Sequence, residues 1–338
     1  MTYVLPFLFF VAAILCGVLT KYFIALFTAK NIVDKPSKRR AHSAVTPRGG
    51  GVAIVISFSI CFLLFCWGTH DSLTEAAWLL LPLTIVAGIS LLDDIDYVPV
   101  MHRLLAHLVA SGLVVYFFLW PRTILHHEPH EYLGFTVAFF GLAAFLNIYN
   151  FMDGIDGITS SESMHLSLTI LLLSWLERDI IVNADLIISI ATLVLACSIG
   201  FIKYNWSPAK IFLGDVGSIT LGFLIGLCLL LIASSSLKLF AACCVASLYY
   251  IADGGLTILI RFAKGEKIWL PHLNHFFQKA ARGGMSHKQI VLRIVACNFC
   301  LMILAVTTLY FPMPSIILAG IVVALVLVHF SRKSTISF

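Results

Sequence analysis

The chain has 338 residues, of which 60% are hydrophobic and only 12% charged. A soluble protein of this length carries about twice that share of charge, so a water-soluble enzyme is excluded and the main solvent is lipid. The net charge of +5 does not mark a nucleic-acid binder, because the cations gather beside apolar segments, as they do at one face of a membrane.

Apolar windows of about 17–25 residues, the length that crosses a bilayer, fall near 3–28, 49–68, 76–92, 103–120, 133–152, 163–176, 185–202, 216–235, 239–259, 290–310 and 314–330. The expected fold is an all-α polytopic membrane protein with about eleven transmembrane helices, a single integral-membrane domain over 1–338. The first window lacks a basic leader and is too long for a signal h-region, so it reads as a retained helix. The nine Cys, among them Cys297 and Cys300 at metal-ligand spacing, lie in apolar stretches where a thiol acts as a small hydrophobe. Neither disulfides nor a Cys metal site are expected.

Charge orients the spans. Lys30, Lys35, Lys38, Arg39, Arg40 and Arg48 follow the first span, and Arg261, Lys264, Lys267, Lys279, Arg282, Lys288 and Arg293 follow the ninth. With Arg103, Lys203, Lys210, Arg332 and Lys333, one side collects 18 of the 22 Lys and Arg, against Arg122, Arg178 and Lys238 on the other. Positive charge stays inside, so the N-terminus is expected in the periplasm and the C-terminus in the cytoplasm, with an active site on the cytoplasmic loops.

The periplasmic loops are plain apart from His126, His127, Glu128, His130 and Glu131, which read better as a solvated loop than as a metal site. The cytoplasmic loops are not plain. The first runs from Asp34 through Lys35 and His42 to Arg48-Gly49-Gly50-Gly51. Basic groups and glycines at a helix start suit an anion, though they equally suit an anchor with close helix packing. Asp93, Asp94 and Asp96 end the third span. Three acids beside lipid and at a helix C-terminus are costly unless a cation relieves them.

Asn147, Asn150 and Asp153 form a helical stripe at the end of the fifth span, and Gly154 and Gly157 allow a turn that returns Asp156. Such oxygen donors suit Mg²⁺ and phosphate. Asp215, between Gly214 and Gly217 at the start of the eighth span, would be a plain cap in isolation. Facing other acidic loops, it reads as a metal ligand. His272 and His275 are followed by Lys279, Arg282 and His287, a cationic setting that favours phosphate over zinc.

Together these segments resemble the polyprenyl-phosphate N-acetylhexosamine-1-phosphate transferase superfamily (glycosyltransferase family 4). The most specific are NFMDGIDG at 150–157, FLGDVGS at 212–218 and Asp93-Asp94. The Val45-Thr46-Pro47-Arg48-Gly49-Gly50-Gly51 segment and the HxxHxxQ pattern at 272–278 are similar to the O-antigen-initiating branch. The resemblance implies transfer of a sugar 1-phosphate from a UDP-N-acetylhexosamine to undecaprenyl phosphate in the bacterial inner membrane. It implies Mg²⁺ as cofactor, with Mn²⁺ as a substitute, membrane lipid as surroundings and no nucleic-acid partner. A homodimer is compatible with it.

Residue by residue, the resemblance implies metal ligation by Asp215, Asn150 and Asp153, catalytic roles for Asp93, Asp94 and Asp156, and substrate binding by Lys35, His42, Arg48, Asn147, Asn150, His272, His275 and Arg282. Leu273 departs from the family pattern, which leads one to expect a base there. The expected chemistry is a single displacement with Asp93 as base or orienter; an acyl-phosphate on an Asp is the competing mechanism. Two other classes are weighed against it: a Mg²⁺-dependent membrane prenyltransferase, and an ion-coupled transporter built around Asp253 in the ninth span.

Overall fold

The computed structural model describes residues 3–34, 45–69, 73–120, 129–267, 270 and 272–334. Lys35 and His42 lie outside the described residues, as do the side chains of the His126–Glu131 run. In chain order the elements are α1 (Val4–Ala29), β1 (Val33–Asp34), β2 (Thr46–Pro47), α2 (Gly51–Thr69), α3 (Leu73–Ile95) and α4 (Val100–Val114), which continues as a π-helical turn over Val115–Leu119. Then come α5 (Pro129–Met152), α6 (Ile158–Leu176), α7 (Ala184–Asn205), α8 (Gly214–Ala233), α9 (Leu237–Ala246), α10 (Leu248–Ala263), α11 (Phe276–Arg282), α12 (His287–Thr307) and α13 (Pro312–Ser334). The two short strands pair antiparallel, Val33 opposite Pro47.

Among the described residues nine helices are long and apolar enough to cross a membrane, and the bent pair α9–α10 makes ten. The chain is thus an all-α polytopic membrane protein. The remaining window of the sequence corresponds to α6, which starts five residues earlier than its apolar stretch, at Ile158. Its first turns are polar yet fully sequestered: Ile158 to Ser163 are all buried. A helix can carry such residues in a membrane if other helices, not lipid, answer their hydrogen bonds.

Four helices do so here. Tyr149 of α5 bonds Ser163 at 2.7 Å, and Ser160 donates to Asn205 of α7 at 3.1 Å. Tyr250 of α10 meets Thr159 at 3.3 Å, and Asn298 of α12 donates to Glu162 at 2.6 Å. The polar start of α6 is a peg around which four helices are hung.

The centre of the bundle is α8, apolar around its whole circumference and almost wholly buried. It packs against α2, α3, α5, α7 and α9. Close approach is set by glycine: a Cβ on Gly51 would collide with the Gly217 backbone, so the starts of α2 and α8 touch main chain to main chain. The axis of α9 and α10 turns by 72° at Ser247. The Ala246 carbonyl there accepts from His165 Nε2 at 3.1 Å, which satisfies a buried acceptor at the break.

Backbone bonds sew the loops of one end together. Phe212 N donates to Pro47 O, while Gly50 N and Gly51 N donate to the Phe212 and Leu213 carbonyls. Gly157 N donates to Asn205 Oδ1 at 3.2 Å. The links α1–α2, α3–α4, α5–α6, α7–α8 and α10–α12 therefore share one end of the bundle, and the polar site is built there.

Candidate active site

Asp94 is a buried acid of this end, 8% exposed. It accepts from Asp215 N at 2.9 Å and Val216 N at 3.0 Å, two of the free N–H groups at the start of α8. Gly214 has φ +75, and any Cβ there would strike the Asp94 carboxylate, so glycine is required for the cap to seat. Arg48 Nε completes the shell of Asp94 at 2.7 Å.

The same guanidinium reaches Asp215 Oδ1 at 3.3 Å. Arg103, at the start of α4, spans the other pair, 2.6 Å from Asp93 Oδ2 and 3.2 Å from Asp215 Oδ2. Asp93 Oδ1 accepts from Val98 N at 2.8 Å and so closes the α3–α4 turn. Asn150 lies 3.5 Å from Asp215 and accepts from Ser218 Oγ at 2.8 Å. Burial works against the Arg48 charge, and the carboxylates of Asp94, Asp215 and Asp93 more than offset it, raising its pKa.

Asp153 follows α5, half-buried near these groups. Burial pushes its carboxyl up to about 7, with the charges of Asp215 and Asp94 adding to the effect against a hydrogen bond from Thr159. The folded protein holds a proton there that the unfolded chain releases above its ordinary value of 3.8. That contribution to stability is complete below the ordinary value and is lost as pH rises through about 7. Asp153→Asn is therefore expected to raise the melting temperature at pH 8 in chelator and to flatten its fall between pH 5 and 8, read by thermal unfolding.

Asp156 is placed differently from the other acids. Its Oδ2 accepts from Ala209 N at 3.2 Å and lies 3.3 Å from His287 Nδ1 at the start of α12. Burial alone would raise its pKa, but the hydrogen bond and charge of His287 bring it below the ordinary value. Asp156 thus ties the α5–α6 turn to the α7–α8 loop and to α12. Asn147 is one turn deeper than Asn150, and its amide donates to Ala143 O of its own helix at 2.7 Å.

The His segment is organised by Asp253 of α10. Asp253 Oδ1 accepts from Phe276 N at 2.9 Å and pairs with His275 Nδ1 at 3.2 Å, and its Oδ2 accepts from Phe277 N at 3.2 Å and Tyr249 OH at 3.3 Å. It caps α11 and fixes the His275 ring. His272 stacks on His275 with centroids 4.9 Å apart. Burial and the neighbouring His275 and Arg261 bring its pKa down to about 4, so the ring is neutral at pH 7.

Arg282 donates to the Leu273 carbonyl at 2.8 Å, a contact that any residue at 273 would supply. Lys279 lies over the Phe276 ring at 4.8 Å. The start of α11 sits on the acidic turn: a Cβ on Gly154 would meet Phe277 Cζ at 2.9 Å and Gln278 Nε2 at 3.0 Å.

The structure thus brings together Arg48, Asp93, Asp94, Asn150, Asp153 and Asp215, with His272, His275 and Arg282 on the adjoining segment and Asn147 and Asp156 at the edges. It adds Arg103, counted above only among the orienting charges, and Ser218. Arg103 was legible in principle: it stands ten residues after Asp93, across a short turn that brings the start of α4 back to the end of α3. Asp253 has both oxygens engaged by the His segment, which removes the residue that best suited a transporter.

A family model described as glycosyl transferase family 4 matches residues 76–235. That stretch holds Asp93, Asp94, Asp153, Asp156 and Asp215. A probable undecaprenyl-phosphate N-acetylglucosaminyl 1-phosphate transferase of Bacillus subtilis (strain 168) is 29% identical over 285 residues, covering 81% of this chain and 76% of the relative. A phospho-N-acetylmuramoyl-pentapeptide-transferase of Streptococcus thermophilus (strain CNRZ 1066) is 30% identical over 245 residues, covering 63% and 68%. The same-named enzyme of Chlorobaculum parvum (strain DSM 263 / NCIMB 8327) is 26% identical over 320 residues, covering 82% and 83%.

Proposed function

The chain belongs to glycosyl transferase family 4, the polyprenyl-phosphate N-acetylhexosamine-1-phosphate transferase superfamily, and on that premise we propose that it moves a sugar 1-phosphate from a UDP-N-acetylhexosamine to undecaprenyl phosphate. It is a phospho-sugar transferase and a multi-pass bacterial membrane protein. The products are undecaprenyl-diphosphate-sugar and UMP, the first step of O-antigen or a related envelope polysaccharide. The inner membrane is the proposed location, with the N-terminus periplasmic and the C-terminus cytoplasmic. In support, the site shares its end of the bundle with Lys203, Lys210, Lys264, Lys279 and Lys288, whereas Arg178 and Lys238 lie at the other.

The observation that carries the reading is the arginine-bridged acid cluster. Asp93, Asp94 and Asp215 bring three negative charges against the two guanidiniums of Arg48 and Arg103. Alone, such a cluster repels a diphosphate and a lipid phosphate, so the reaction needs one more positive group. Asp215, Asp153 and Asn150 offer the hard oxygen donors that suit Mg²⁺, with Mn²⁺ as substitute. Among the described residues no three His, Cys, Asp or Glu form a finished metal cage, so the ion would draw further ligands from diphosphate and water. When bound, it neutralises phosphate charge and polarises the sugar-bearing phosphorus.

The chain's own groups do the rest. A lipid phosphate oxygen attacks the sugar-bearing phosphorus, and the bond to the bridging oxygen breaks with UMP taking the electron pair. Arg48 and Arg103 present fork-shaped donors to the phosphates. Asp93 orients Arg103 and accepts any proton still on the lipid phosphate; that phosphate is already largely ionised near neutral pH. His272 and His275, aligned by Asp253, face the donor. Purified protein with undecaprenyl phosphate, Mg²⁺ and UDP-linked GlcNAc, GalNAc, FucNAc or QuiNAc is expected to release UMP with at least one of them. Silence across the whole panel would sink the assignment.

An apolar cavity of about 730 Å³ between α5, α8 and α9 suits the isoprenoid tail of the acceptor. Gly141 lines it, and a Cβ there meets nothing within 4 Å. Gly141→Leu is expected to fill part of the cavity and raise KM for undecaprenyl phosphate about tenfold, with KM for the UDP-sugar unchanged.

A further inference from the structure

Glu162 lies on α6, in the second turn beyond the acidic loop, and is 0% exposed. Its Oε2 accepts from Asn298 Nδ2 at 2.6 Å. The other two heteroatoms of this pair, Glu162 Oε1 and Asn298 Oδ1, are buried without a hydrogen-bond partner. Both are acceptors if the acid is ionised. The groups around the carboxyl, Tyr149, Tyr249, Tyr250 and Cys297, bring no positive charge.

An ionised carboxylate with one neutral donor at membrane depth costs several kcal/mol. A single proton removes that cost and both orphans together. Placed on Oε1, it supplies a donor for the unpartnered Asn298 Oδ1, and the acid and amide can then close a ring of two hydrogen bonds.

We propose that Glu162 is protonated in the folded protein and clasps Asn298 through this acid–amide ring, locking α12 to α6 and so positioning the His segment over the acidic turn. The mechanical link is short. The start of α6 follows the turn bearing Asp153 and Asp156, while the start of α12 carries His287, 3.3 Å from Asp156. Just before it in the chain lies α11, which rests on Gly154. Glu162 touches no reacting atom; it acts through α12, and it does so as a neutral group. Gln can replace it in that ring, one of its two amide N–H groups standing for the acid O–H and its carbonyl for Oε2.

The inference rests on the transferase reading in its kinetic arm only. Infrared spectra of the full-length protein in lipid nanodiscs are expected to show a protonated-carboxyl stretch in wild type that is missing in Glu162→Gln and moves to higher frequency in Asn298→Ala. Glu162→Gln should keep the wild-type melting temperature and, with the UDP-sugar that scores in the panel above, a KM within about twofold. Glu162→Ala should raise that KM about tenfold with kcat far less affected. Should Glu162→Ala fail to fold, the Gln variant and the spectra decide alone. No carboxyl band assignable to Glu162, or a Gln variant as damaged as the Ala variant, overturns the clasp. An enzyme silent with every sugar but showing the band keeps the clasp and discards the activity.

Discussion

Asp215→Asn is expected to lower kcat about a thousandfold while leaving the melting temperature almost where it was. The first half follows from charge. Asp215 is where the two bridges meet, 3.3 Å from Arg48 and 3.2 Å from Arg103, with Asn150 at 3.5 Å. In the proposed reaction it is the principal anionic ligand for the divalent ion, and an amide offers that ion only a neutral oxygen. The second half follows from who caps α8. The free N–H groups of residues 215 and 216 are answered by Asp94, not by the Asp215 side chain. A variant that melts normally, binds undecaprenyl phosphate and releases no UMP is the expected result. Retention of more than about a tenth of wild-type kcat would show that the charge at 215 is not needed.

Asp94→Ala is expected to do the reverse of what its motif suggests and to fail chiefly in stability, by about 3–5 kcal/mol. The substitution strips two buried N–H groups of their acceptor and leaves the Arg48 Nε that stood 2.7 Å away without its partner. Asp94→Asn should recover little of this, since its NH₂ would face either a backbone N–H or a guanidinium. Thermal unfolding in detergent, followed beside UMP release, separates the two roles. If Asp94→Ala melts with the wild type yet is inactive, Asp94 is a reacting group and the cap is incidental.

The membrane class, the order of the spans and the loops that carry polar residues were legible because each is a local property. Apolar windows report length against a bilayer, and Gly, Asn and Asp cluster where the chain must turn. What stayed hidden depends on partners far along the chain. The start of α6 was read five residues late because hydropathy cannot tell a polar residue facing water from one bonded to another helix; Thr159, Ser160, Glu162 and Ser163 are of the second kind. Asp94 was read as one of three acids awaiting a cation, and its acceptors are taken up by amides 121 and 122 residues away. Arg103 was counted as a topology charge, although only the short turn between α3 and α4 separates it from Asp93. Asp253 suited a transporter until the start of α11 was seen resting on it.

The contact of α2 with α8 through Gly51 and Gly217 divides the glycines of this chain by what they would report in a saturation-mutagenesis map. At Gly51, Gly217 and Gly214 even alanine collides with main chain or with the Asp94 carboxylate, so those columns should be blank for all nineteen replacements. At Gly88, Gly255 and Gly320 a Cβ meets nothing within 4 Å, and those columns should fill with apolar residues. Such a map needs no substrate: expression and folding alone would draw the outline of the joint that carries the site.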